Sequence, residues 1–131
     1  MKTLFLDANI LFSAAYREDS KLSILWKLKK INLITSAYAL EEARRNLKSQ
    51  EQWIRLEVLA SKLKILSHDH TASIPKEIIL KDKDRPILAA AINAKADFLI
   101  TGDLQDFGRY FGTSVMGVTI LPPADFLAQN I

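Results

Sequence analysis

DRPILAAAINAKADFLITGD, residues 84–103, places a helix, a strand and two acids in one stretch, and its reading decides the fold. Asp84 precedes an apolar run and is a candidate helix N-cap. Pro86 falls in the first turn, where its missing N–H costs nothing. The run from Arg85 to about Lys95 is apolar on most sides, as a buried helix is. DFLIT, residues 97–101, then reads as a short strand, and Gly102 turns the chain into Asp103.

The same alternation extends outward. TLFL at 3–6 is a β-prone run that stops at Asp7, as a buried parallel strand stops before its loop, and NILFSAAY at 9–16 begins a helix. Residues 20–30 carry Leu22, Leu25, Trp26 and Leu28 with lysines between them, which predicts an amphipathic helix. NLIT at 32–35 is a second strand. Ser36 is a candidate N-cap for a helix over 37–49, whose Leu40, Ala43 and Leu47 share a face. A further helix covers about 51–63, and KILS at 64–67 is a third strand. The polar segment 68–83 contains Pro75 and supports no single element. VTIL at 118–121 is a last strand before a helix that starts at Pro122 and Pro123. Strands alternating with helices predict an α/β fold on a mainly parallel sheet.

The chain has 131 residues, 49% of them hydrophobic, enough for one core and too few for two domains, so one domain over 1–131 is expected. Its net charge of +3 suits a polyanionic partner without identifying one. Without cysteine, disulfides and thiolate metal sites are excluded. Asp7 interrupts the first apolar stretch, and the longest apolar run, ILAAAI at 87–92, is far short of the ~20 residues of a membrane helix. A soluble, cytoplasmic protein with no membrane association is the expectation.

Open α/β sheets bind ligands beyond the carboxyl ends of their strands. Asp7 ends the first strand and Asp103 follows DFLIT, so both project toward one sheet edge; Glu42 and Asp84 sit on helices that can reach it. Crowded carboxylates repel unless a cation neutralises them. Oxygen ligands without His or Cys favour Mg²⁺ or Mn²⁺, which also hold waters and phosphates, so the implied reaction is phosphodiester hydrolysis.

Each acid has a plainer reading beside this one. Asp7 and Asp103 could be loop acids, and Asp84 could serve only as an N-cap, a role worth ~1 kcal/mol without any metal. Helical periodicity does not separate Glu42 from Glu41. Glu41 has Arg44 and Arg45 at surface salt-bridge spacing, which favours Glu42 as the inward acid. Asp82 is the alternative to Asp84, and Asp106 could share or replace the role of Asp103. His68 and His70 read as exposed loop histidines, and Trp26 and Trp53 as packing residues. The basic clusters Arg44, Arg45, Lys48 and Lys81, Lys83, Arg85 flank two of the acids. They are either solvated faces or guides for phosphate, with Arg44, Arg45 and Arg85 as the candidate substrate contacts.

TLFLDANILFSA (3–14), TSAYALEEARRNL (35–47) and DRPILAAAINAKADFLITGDLQDF (84–107) resemble, in order, the signature segments of PIN-domain nucleases, including VapC-like toxins of toxin–antitoxin pairs. The resemblance implies a Mg²⁺- or Mn²⁺-dependent, RNA-cleaving enzyme on a three-layer α/β/α sandwich with about five mainly parallel strands. The family's acids match Asp7, Glu42, Asp84 and Asp103, with Asn9 and Thr101 at supporting polar positions and Asp106 at a frequent additional acid. It further implies an RNA substrate, an antitoxin protein as partner and a homodimer. Two other readings stand beside it. One is a phosphatase using Asp7 as nucleophile, which would usually carry Asp where this chain has Asn9. The other is a non-catalytic RNA-binding module on the same fold.

Overall fold

Short apolar runs become central strands here because a strand covered on both faces needs no polar alternation. The computed structural model describes residues 1–67 and 74–129. Strand β1 (Lys2–Leu6) leads into α1 (Ala8–Tyr16), a 3₁₀ segment (Lys21–Lys27) and β2 (Ile31–Ser36). Helices α2 (Ala37–Asn46) and α3 (Gln50–Ala60) precede strand β3 (Lys64–Leu66). Then come α4 (Arg85–Asn93), β4 (Phe98–Ile100), α5 (Leu104–Phe107), a second 3₁₀ turn (Gly108–Tyr110), β5 (Ser114–Val115), β6 (Val118–Leu121) and α6 (Pro123–Gln129).

The sheet order is β3-β2-β1-β4-β6-β5. All pairings are parallel except β5 with β6. Leu4 lies across from Leu33 on one side and Phe98 on the other, and Ile100 pairs with both Leu6 and Leu121. The chain leaves β1 toward β2 and β3 and later returns to the opposite flank of β1 through β4. The strand order therefore reverses between β1 and β4, and a crevice opens at their carboxyl ends. Phe5, Phe107 and Phe126, all fully buried, anchor the core with Leu4, Leu6, Leu88 and Leu99.

Several local expectations change. The sheet has six strands rather than about five, because Val115 and Val118 pair across a two-residue turn. Met116 (φ 51°) and Gly117 (φ 89°) both adopt positive φ there, the backbone of a type I′ hairpin turn. The predicted helix over 20–30 is the shorter 3₁₀ segment, capped by the Ser20 hydroxyl accepting from Leu22 N. Leu47 ends α2 in an extended conformation with its side chain buried. A new helix then starts at the Ser49–Gln52 capping box, so 37–49 is not one helix. Helix α4 stops at Asn93, short of Lys95, whose φ of 55° is left-handed and breaks the helix. Ser36 caps α2 as expected, accepting from Ala39 N at 3.1 Å. Among the described residues no helix is long and apolar enough to cross a membrane. His68 and His70 lie outside the described residues.

Candidate functional site

Asp7 follows the last residue of β1 and caps α1, so one side chain finishes a strand and starts a helix. Its Oδ1 accepts from Ala8 N at 2.6 Å, and its Oδ2 accepts from the Thr101 hydroxyl at 2.8 Å and Asn9 Nδ2 at 3.1 Å. Thr101 Oγ1 in turn accepts from Asn9 Nδ2 and from Asp103 N, each at 3.1 Å. Asn9 Oδ1 accepts from Gly102 N at 2.8 Å. This network stitches the end of β1 to the loop after β4. Burial pushes the Asp7 carboxyl up from 3.8 to about 6; the hydrogen bonds from Thr101 and Ala8 oppose the rise, while Glu42 and Asp103 add to it.

A second acidic group lies beside it. One oxygen from each of Asp84, Asp103 and Asp106 falls within 4.8 Å of the others. Asp103 caps α5 through Oδ1, which accepts from Asp106 N at 2.9 Å. Asp84, by contrast, makes no capping bond to α4, although the sequence reading expected one: its own backbone is already helical, at φ −95° and ψ −19°. The buried Asp84 Oδ2 has no hydrogen-bond partner among the described residues. Burial first, then the hydrogen bond and charge of Asp106, raise the Asp84 carboxyl to about 7. Asp106 is held below the usual carboxylate range, chiefly by the hydrogen bond from Asp84 and further by Lys81. The proximity of the two carboxyls therefore favours protonation of Asp84 over Asp106.

Glu42 lines the same cleft, of about 490 Å³, together with Asp7, Asn9, Lys83, Asp84 and Asp103. Its neighbour Glu41 points elsewhere, paired with Arg44 at 2.9 Å and Arg45 at 3.8 Å. Arg44 also holds Glu57 at 2.7 Å. The structure therefore sets Arg44 and Arg45 on an outer ion-pair network, and neither they nor Arg85 line the cleft.

Two further residues belong to the surroundings of the site: Tyr38, which the sequence reading did not place there, and Lys83, which it had among the basic residues flanking the acids. Tyr38 donates from its hydroxyl to the Lys83 carbonyl at 2.8 Å, tying α2 to the segment that carries Asp84. Its i, i+4 spacing to Glu42 was the available signal. Lys83 lines the cleft, and its ammonium is held above the usual range by Asp84 above all, then by Asp106, Glu42 and Asp103.

The donor set fits a divalent cation. All the inward charged donors except Lys83 are carboxylates, two of them have raised pKa values, and a buried carboxylate oxygen lacks a partner. Oxygen-only donors match hard ions.

Comparison with known proteins places this geometry. PIN domain is the family that matches, over residues 3–105. No curated protein matches the chain. Among solved structures, VapBC2 from Rickettsia felis, crystallised with a DNA fragment from their promoter, superposes with a TM-score of 0.69 at 18% identity. The match covers 92% of this chain and 98% of that one. At that identity the likeness speaks for the fold, while the family match spans residues 3–105, which include Asp7, Glu42, Asp84 and Asp103. The chain belongs to the PIN domain family, a family of nucleases that use divalent metal ions.

Proposed function

We propose that this protein is an endoribonuclease that hydrolyses RNA phosphodiester bonds with Mg²⁺ or Mn²⁺ held by Asp7, Glu42, Asp84 and Asp103, with Asp106 as a secondary acid. The observation that carries the reading is the buried Asp84 Oδ2, without a partner among the described residues, at a group of three carboxylates beside a firmly hydrogen-bonded Asp7. A divalent ion would supply charge neutralisation and polarisation of the phosphate and of the attacking water. Asn9 and Thr101 orient Asp7 and fix the Asp103 backbone. In the reaction the water oxygen bonds to phosphorus, one P–O ester bond breaks, a cleft carboxylate takes the proton from water, and the departing oxygen gains a proton from solvent.

The phosphatase reading is disfavoured because such an enzyme would usually carry a second Asp where this chain has Asn9, whose amide instead donates to Asp7 Oδ2. A protein antitoxin is a natural partner to propose, given the VapBC2 likeness. The exposed Trp53, Ile54 and Val58 on α3 support a protein contact such as a homodimer.

The test is incubation of purified protein with single-stranded RNA and Mg²⁺ or Mn²⁺, with chelator and with Asp7→Asn. Cleavage should require the ion and fall by roughly 10³-fold in the variant, whose circular dichroism should be unchanged. Equal cleavage by wild type and variant would sink the assignment. RNA binding without any divalent-ion binding by calorimetry would identify a non-catalytic module instead.

A further inference from the structure

Lys83 occupies an unusual position among the basic residues of this protein. The carboxylates of the cleft repel any phosphodiester that approaches, and Lys83 is the one basic side chain among the described residues that line it. Arg45 and Arg85 do not line the cleft, and two other arginines are committed to protein partners. Arg44 is held by two short ion pairs, and Arg55 donates to the Ala15 and Tyr16 carbonyls. Lys81 takes Asp106 Oδ1 at 3.1 Å, leaving Lys83 Nζ 3.9 Å from Oδ2, too far for a hydrogen bond. The Lys83 side chain is 56% exposed and keeps its hydrogen-bond donors for another acceptor.

The backbone of Lys83, unlike its ammonium, is tied down. Tyr38 grips its carbonyl at 2.8 Å from α2, and upstream the Tyr110 hydroxyl accepts from Ile79 N at 2.6 Å. Asp84, the next residue, begins the turn into α4 through Ile87 N and Leu88 N on its carbonyl. The backbone is thus anchored from three sides at the rim of the acidic cleft, while the ammonium hangs loosely beside Asp106. Such a group can leave its weak contact for a phosphate oxygen without disturbing the acids.

We propose that Lys83 is the substrate-phosphate anchor of this site, held over the cleft by Tyr38 and Asp106 and transferring its ammonium to a backbone phosphate of single-stranded RNA when the substrate enters. The proposal rests on the ribonuclease reading and adds a protein-borne cation that metal coordination alone would not supply. It assigns the phosphate contact to Lys83 rather than to Arg44, Arg45 or Arg85. Because the contact is to phosphate, it is blind to base sequence.

The test uses Asp7→Asn as background so that RNA survives, with fluorescence anisotropy of a labelled single-stranded RNA at a series of salt concentrations. Adding Lys83→Met should weaken binding roughly tenfold at low salt, as loss of one charge-assisted contact does. It should also lower the slope of log affinity against log salt by about 0.7, uniformly across RNA sequences. Lys83→Arg should restore the slope, and Lys64→Met, an exposed change on β3, should leave it unaltered. Calorimetric titration of otherwise wild-type protein with Mn²⁺ alone gives the second readout. Lys83→Met should bind Mn²⁺ as well as or better than wild type, because a competing cation is gone. An unchanged salt slope would overturn the proposal while leaving the nuclease reading intact. So would Mn²⁺ affinity falling in step with RNA affinity, the mark of a residue that merely supports the acids. If the background protein bound no RNA at all, the substrate reading would fail, and this inference with it.

Discussion

Asp7 and Asp84 are both buried acids, 4% and 6% exposed, each immediately before a helix start, yet they are treated in opposite ways. Asp7 has donors on both oxygens, from Ala8, Asn9 and Thr101. Asp84 leaves one oxygen without a partner among the described residues, and burial together with Asp106 raises its carboxyl. The contrast separates a preorganised half of the site from a half that needs a cation. A buried carboxylate without a partner costs free energy that a protein retains only where something else repays it.

The largest expected effect concerns the shared burden of the two halves. The Asp7 carboxyl sits at about 6 in the folded protein against 3.8 when unperturbed, so between those values the fold holds a proton that the unfolded chain releases. Stability of the metal-free protein should therefore fall as pH rises through this window, by about 3 kcal/mol for Asp7. Asp84, raised to about 7, extends the loss toward neutrality. The lowered pKa of Asp106 acts in the other sense, but only as pH drops toward the acid range. Thermal melts across pH should show this decline, and Mn²⁺ should reverse it, with a stabilisation that grows as the acids ionise. A metal-free melting temperature that rises from pH 4 to 7 would contradict the electrostatics described here.

Breaking the preorganised half comes next. Thr101→Val removes the donor to Asp7 and the acceptor of Asp103 N and should destabilise the protein by roughly 1–3 kcal/mol. Since the Thr101 bond lowers the Asp7 pKa, the decline in stability with rising pH should also extend to higher pH in the variant. Equal stability of the variant and wild type in denaturant melts would show that the network carries no strain-free order.

The cation-requiring half should respond in metal affinity instead. Asp84→Asn should weaken Mn²⁺ binding by roughly 10- to 100-fold in calorimetry. It should leave metal-free stability at pH 8 unchanged or improved, because no capping bond is lost and no charge stays buried. The opposite pattern, lost stability with full metal affinity, would return Asp84 to a purely structural role. The smallest effect is expected outside both halves. Arg44→Ala, which breaks exposed pairs to Glu41 and Glu57, should cost under ~1 kcal/mol and leave RNA cleavage alone.

Much of the fold was legible because its signals are local. TLFL, NLIT, DFLIT and VTIL became β1, β2, β4 and β6, and the Ser36 cap and Pro123 helix start appear where their chemistry places them. The hairpin at Met116 and Gly117 was not legible, since Met at positive φ is not a recognisable turn signal and β5 spans only two residues. The 3₁₀ segment at 21–27 was read as a helix because its Leu and Trp spacing fits either geometry. At the site, helical periodicity left Glu41 and Glu42 equal, but the i+3 and i+4 spacing of Arg44 and Arg45 already favoured Glu42, and those arginines do pair with Glu41.

By itself the sequence determined the alternation of helices and strands and the placing of Asp7 and Asp103 after strands, because those features depend on neighbours a few residues apart. Only the tertiary structure decided that Asp7 has a donor on each oxygen while Asp84 does not. The bond that most distinguishes them, from Thr101 to Asp7, joins residues 94 positions apart, and no local pattern reports which of two buried acids such a partner will reach. The same holds for Lys83, whose place over the cleft depends on Tyr38, 45 residues away in the chain.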